Sequence, residues 1–230
     1  MSEGLQSSAD GHAPSGAGIA VGHDRPLVLI VDDDVAVRTS IEELMLSVGI
    51  DAIGFGSTRA LLDAEFPDRP GCLVLDVRMP GSSGLDLQQH LAATGNGKPI
   101  VFLTGYGDIP MTVQAMKAGA VDFLTKPVRD QSLLDAVTGA IERDLMQRAE
   151  GRLIRQQASR HATLTARERQ VLRQVVQGRL NKQIAYDLGI SEVTVKLHRS
   201  SVMRKMSAST VGELIRAWDL LPAALRHEAT

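Results

Sequence analysis

Leu27-Val28-Leu29-Ile30-Val31-Asp32-Asp33-Asp34 is the stretch whose reading decides the fold. Five consecutive apolar residues are too few for an independent helix. They also lack the alternation of a strand with one wet face, so they read as a strand covered on both sides. Three acids then end the strand at its carboxyl end. In sheets covered by helices on both faces, that is where function gathers.

The same grammar repeats outward from this point. Short apolar runs at 72–75, 100–103 and 121–124, with a weaker one at 52–55, read as four further strands. Between them lie helical patterns at 35–48, 85–91, 110–118 and 132–146, the first carrying Val37, Ile41, Leu44 and Met45 on one face. Gly49, Gly95 and Gly119 stand where these helices should stop. Strand and helix in alternation predict an α/β unit over residues 26–147, with a doubly wound, five-stranded parallel sheet.

In that arrangement Asp76 follows the third strand, Thr104 the fourth, and Lys126, next to Pro127, the fifth. Side by side, the strands would bring these groups to the acids at 32 and 33. Clustered carboxylates repel one another, and a hard divalent cation such as Mg²⁺ offsets the repulsion. A lysine and a hydroxyl beside them complete a site for a phosphoryl group, with Asp76 as nucleophile and Lys126 and Thr104 holding oxygens. Each residue alone has a plainer reading: Asp34 as a helix N-cap, Thr104 as turn chemistry, an acid at a strand end as the cap of the next helix. All of them together, however, fall at successive strand ends.

Charge separates the chain into two parts. Residues 1–150 carry 11 Lys+Arg against 21 Asp+Glu, while residues 151–230 carry 14 against 6. An acidic half that suits cations precedes a basic half that suits a phosphate backbone, although two solvated surfaces of opposite sign would give the same counts. A single cysteine, Cys72, excludes an internal disulfide and fits a reducing cytoplasm. No run reaches the ~20 apolar residues of a membrane span, so no membrane role is expected. Residues 1–25, rich in Gly, Ser and Ala without periodicity, are expected to be a disordered tail.

The polar, basic stretch 148–162 reads as a linker with partial helical character, and residues 163–230 as a second, smaller, all-α domain. Thr165 and Glu168 have the spacing of a capping box, opening a helix with Val171, Leu172, Val175 and Val176 on one face and Gly178 at its end. Asn181 is placed to cap a second helix carrying Ile184, Ala185 and Leu188. Gly189-Ile190-Ser191 then turns into a third helix running to Met206. Two short helices joined in this way have the helix-turn-helix form. With Val195, Val202 and Met206 inward, the third helix turns Thr194, Lys196, Leu197 and Ser200 outward, with Arg199, Arg204 and Lys205 alongside. That is a width and charge suited to the DNA major groove. A solvated basic face on a small bundle remains the alternative.

Two sets of motifs carry a family resemblance. Leu29-Ile30-Val31-Asp32-Asp33-Asp34, Leu75-Asp76-Val77-Arg78-Met79-Pro80-Gly81, Leu103-Thr104-Gly105 and Lys126-Pro127 resemble the flavodoxin-like receiver domains of two-component signalling. Leu164-Thr165-Ala166-Arg167-Glu168, Asn181-Lys182-Gln183-Ile184-Ala185 and Ser191 to Lys196 with His198-Arg199 resemble the LuxR-type output domain of NarL/FixJ response regulators. The resemblance implies Mg²⁺ on Asp32, Asp33 and Asp76, phosphorylation of Asp76 by a histidine kinase, Thr104 and Phe123 as switch residues, and a cis peptide before Pro127. It also implies DNA contacts from Asn181, Lys182, Lys196, Leu197 and Ser200, and a homodimer formed on phosphorylation to bind promoter half-sites and regulate transcription. Residues 210–218, with Val211, Leu214 and Ile215, match the fourth output helix.

Two other functions compete. A phosphatase of the haloacid dehalogenase type also uses an aspartyl nucleophile, but carries an acid two residues further on, where this chain has Arg78. A DNA-binding regulator indifferent to phosphorylation would tolerate a degenerate receiver, whereas every expected site residue is present here. The expectation is therefore a regulator and not an enzyme.

Overall fold

The computed structural model describes residues 25–105 and 109–226, so the expected tail lies, but for Arg25, outside the described residues. Strands β1 (Leu27–Val31), β2 (Asp51–Phe55), β3 (Gly71–Leu75), β6 (Ile100–Thr104) and β7 (Asp122–Thr125) form one parallel sheet in the order β2-β1-β3-β6-β7. Between β3 and β6 a small antiparallel ribbon, β4 (Arg78–Met79) with β5 (Ser82–Ser83), leads into α3 (Gly84–Ala93). The helices α1 (Val35–Ser47), α2 (Thr58–Leu62), α4 (Ile109–Lys117) and α5 (Asp130–Ala162) complete the wrapping.

Side-chain alternation along β1 shows why its run is unbroken. Leu27, Leu29 and Val31 enter one core with Leu61 of α2, Leu87 and Leu91 of α3 and Ala115 of α4. Val28 and Ile30 enter the other, with Ile41 and Met45 of α1 and Leu133, Val137 and Ile141 of α5. Both faces of the strand are dry, as its composition requires. Close approach also fixes one residue at the start of β3, since a Cβ on Gly71 would meet the Leu27 carbonyl oxygen at 1.8 Å.

The polar stretch 148–162, read as a linker, is the second half of α5, one continuous helix of 33 residues. Only Gly151 interrupts a segment of good helix formers (Arg, Gln, Leu, Ala), and no proline ends it before Ala162. Where the helix passes the base of the sheet, buried Asp144 accepts from Gly71 N at 2.9 Å and from Arg148 Nε at 2.8 Å. Arg148 in turn donates to Asp68 at 2.6 Å.

Beyond it α6 (Ala166–Val176), α7 (Asn181–Leu188), α8 (Glu192–Lys205), α9 (Val211–Asp219) and the short α10 (Ala223–Arg226) enclose a third core around Leu172, Ile184, Val195, Val202 and Leu214. The Thr165/Glu168 capping box is formed. Gly189, at φ 65°, supplies the left-handed turn between α7 and α8. One detail differs from the sequence reading: α7 already includes Asn181, and the cap is made by Gln183, whose Oε1 accepts from Leu180 N at 2.9 Å. The Asn181 amide oxygen instead accepts from Arg199 at 3.1 Å, tying α7 to α8.

Candidate functional sites

Register brings the first site together. Val31 pairs with Leu75, so Asp32 and Asp76 are the next residues of two adjacent strands, at the point where strand order reverses. Thr104 pairs with Thr125, so Lys126 emerges one step beyond Thr104. Asp76 N donates to Val31 O and Lys126 N to Thr104 O, both at 2.8 Å, which holds the loops to the sheet.

Lys126 Nζ donates to Asp76 Oδ2 at 2.7 Å and to Asp32 Oδ2 as well. The carboxylates of Asp32, Asp33 and Asp76 offer one oxygen each within 4.8 Å of one another. Asp32 and Asp76 are almost wholly buried and Asp33 is exposed, so the cluster has one open side. Asp34 is the N-cap of α1, as the sequence reading has it, accepting from Ala36 N at 2.8 Å. Arg38 of α1, which sequence reasoning missed, donates to the Asp32 carbonyl at 2.5 Å. Its only trace in the sequence is a cation one helical turn inside α1, a common feature without meaning on its own.

Burial raises the Asp32 carboxyl above the ordinary aspartate range, against the opposing hydrogen bond from Lys126. Burial also works against the Lys126 ammonium, but its hydrogen bonds to Asp32 and Asp76 outweigh that and raise its pKa. The arrangement is a nearly dry pair of carboxylates held by one ammonium, a demanding balance of desolvation against attraction. Thr104 is buried beside it. Phe123 is half-buried against the first core, its ring 6.0 Å from that of Phe102. The peptide between Lys126 and Pro127 is cis.

The second site is the outer face of α8. Val195, Val202 and Met206 are buried as the spacing requires. Lys196, Leu197, Ser200 and Arg204 are exposed, as is Lys182 on α7. Four of the residues expected to make polar contacts, Thr194, Arg199, Asn181 and Lys205, have internal partners instead. Thr194 Oγ1 lies 2.8 Å from Ser191 Oγ, and Arg199 holds Asn181. Lys205 Nζ donates to Glu168 Oε2 at 2.7 Å and to Thr163 O at 3.1 Å.

Both sites have counterparts in known proteins. Residues 28–138 match the response regulator receiver domain, and residues 162–217 match the bacterial regulatory proteins of the luxR family. The chain belongs to the two-component response regulators.

This response regulator is 49% identical over 203 residues to Nodulation protein W of Bradyrhizobium diazoefficiens, covering 88% of its own length and 89% of the relative. It is 44% identical over 203 residues to the transcriptional regulatory protein FixJ of Azorhizobium caulinodans, covering 88% and 96%. Among solved structures, the response regulator StyR superposes with a TM-score of 0.77 at 44% identity, over 85% of this chain and 98% of StyR. Full-length FixJ from B. japonicum gives 0.50 at 37% identity, over 88% and 97%. The response regulator thus joins a receiver to a LuxR-type DNA-binding domain, which implies regulation of transcription, with DNA and a histidine kinase as partners. Among its described residues no helix is long and apolar enough to cross a membrane.

Proposed function

We propose that Asp76 accepts a phosphoryl group from a histidine kinase, and that the acyl phosphate so formed controls homodimerisation and sequence-specific DNA binding in the cytoplasm. The observation that carries this reading is the junction of Asp32, Asp33 and Asp76 with Lys126 at the ends of neighbouring strands.

The donor set fits Mg²⁺: three hard carboxylate oxygens within 4.8 Å, open on the Asp33 side, with room for water to complete the shell. Asp32, Asp33 and Asp76 would hold it. When bound, Mg²⁺ supplies neutralisation of carboxylate and phosphoryl charge. One Asp76 carboxylate oxygen attacks phosphorus as the P–N bond to the kinase's phosphohistidine breaks, its electron pair leaving with the imidazole. Lys126, already 2.7 Å from Asp76, pairs with one phosphoryl oxygen, and the Thr104 hydroxyl donates to another. Phosphorylation adds roughly −1.5 to −2 charge, and this draws Thr104 and Lys126 toward it and favours Phe123 packed inward.

Exposed Ile109, Val113 and Met116 on α4 recur at helical spacing and support a receiver pairing surface around α4 and β7. Lys182, Lys196, Leu197, Ser200 and Arg204 then contact promoter half-sites, cations to phosphates and the α8 face to bases. Thr194, Arg199, Asn181 and Lys205 support that face from within.

A DNA-binding titration with and without acetyl phosphate and Mg²⁺ tests the proposal. Binding by the parent protein should tighten with the phosphodonor, and Asp76→Asn should lose the response completely. A full response in Asp76→Asn would remove Asp76 from the mechanism.

A further inference from the structure

On the outward side of α8 the residues left without polar work form a pattern of their own. Val193 is 67% exposed and Leu197 66%. Four residues apart, they lie one above the other on a single helix face, together with Lys196, Ser200 and Arg204. Thr194, which separates them in sequence, has turned its hydroxyl to Ser191. The helix therefore offers an apolar pair flanked by Lys196 and Arg204, with Lys182 of α7 also exposed.

Single exposed apolar side chains are ordinary. Two stacked on a cation-flanked helix need an occupant that is negative at its margins and apolar at its centre. The major groove meets that description at one base only, because thymine presents a C5-methyl group while the other bases present hydrogen-bond donors and acceptors. Of the groups on the base edges there, the thymine methyl is the one that offers valine and leucine an apolar surface to pack on.

We propose that Val193 and Leu197 read the methyl groups of two thymines in each DNA half-site. The rise between the two residues, about 6 Å, sets those thymines within about two base-pair steps of each other. This rests on the reading of α8 as the helix that enters DNA, and names Val193 as a residue that decides specificity.

The test uses the full chain with acetyl phosphate and Mg²⁺, and a duplex enriched from a randomised pool by that protein. Replacing each thymine of the duplex by deoxyuridine removes only the methyl group. Two replacements should each weaken binding about four-fold, the value of one buried methyl. Val193→Ala should abolish the thymine preference at one of these positions and Leu197→Ala at the other, each leaving its neighbour's preference intact. Equal binding of thymine and uracil duplexes would overturn the inference, as would variants that bind more weakly yet keep both preferences. Failure to enrich any duplex would instead overturn the DNA-binding reading itself.

Discussion

The acidic and basic halves of the molecule build their sites by opposite means. In the receiver the decisive groups are buried and convergent: Asp32, Asp76 and Thr104 come from three strands and are all less than a tenth exposed. In the output domain the candidate groups project outward from α8, with Lys182 on α7, and the buried Glu168 serves the capping box and the Lys205 ion pair. Charge therefore means different things in the two halves. At the receiver strand ends Asp32 and Asp76 are held inward among their own kind. In the output domain the cations divide into those already engaged inside the protein, such as Lys205 and Arg199, and those exposed on the outer face, such as Lys196 and Arg204.

The sharpest probe of the receiver's dryness is Cys72, fully buried on β3, whose thiol burial pushes up to about 12 from an ordinary 9.0. At pH 8 that lowers the thiolate fraction about a thousand-fold. Alkylation by iodoacetamide, followed by mass spectrometry, should be slower than for the urea-unfolded chain by at least that factor. Reaction at the unfolded rate would mean that the sheet is open.

Asp144 is a further buried carboxylate of the receiver. Asp144→Ala leaves Gly71 N and Arg148 without their acceptor and should cost about 3 kcal/mol in urea unfolding. A change under 0.5 kcal/mol would show the contact to be incidental.

Lys126→Gln removes the ammonium between Asp32 and Asp76 and should cost about 2 kcal/mol at pH 7. An acid whose folded pKa is raised, as that of Asp32 already is, costs stability above its unfolded value of 3.8 and recovers it on acidification. The deficit of the variant should therefore shrink as pH falls from neutrality toward 4, and thermal melts across that range would measure it. A deficit independent of pH would point to lost packing instead of carboxylate repulsion.

In the output domain two lysines on α8 should separate cleanly. Lys205→Met breaks the ion pair with buried Glu168 and should lower stability by about 1–2 kcal/mol. Part of that is lost in the parent as pH drops through the depressed Glu168 pKa, where burial is outweighed by the Lys205 and Thr165 hydrogen bonds. Lys196→Met should leave stability within about 0.5 kcal/mol while reducing the salt dependence of DNA binding by about one unit of slope. Paired melts and salt titrations would show whether the two residues trade these effects.

Sequence legibility follows the same division. The strands β1, β3 and β6 could be read because each is a closed apolar run, whereas Gly54 and Asp122 interrupt the runs of β2 and β7, which are legible from the alternation of strand and helix. Asp32, Asp76, Thr104 and Lys126 could be placed because strand ends are where such runs stop. The helix α2 escaped the reading: it has five residues and too little periodicity to detect. In the basic half, residue type points to the right helix but not to which cations have partners. The partners of Lys205 and Arg199 lie 37 and 18 residues away, a distance at which spacing carries no signal.

The continuous helix from Asp130 to Ala162 makes the two halves mechanically continuous. At 1.5 Å per residue it is a rod of about 50 Å, which begins three residues after Pro127. Near its far end His161 stands edge-on to Trp218, their ring centres 6.4 Å apart. Such a rod acts as a lever whose fulcrum is the Asp144 contact with β3. A tilt of about 10° about that fulcrum would sweep the far end, about 27 Å away, through about 5 Å, more than one base-pair rise of DNA.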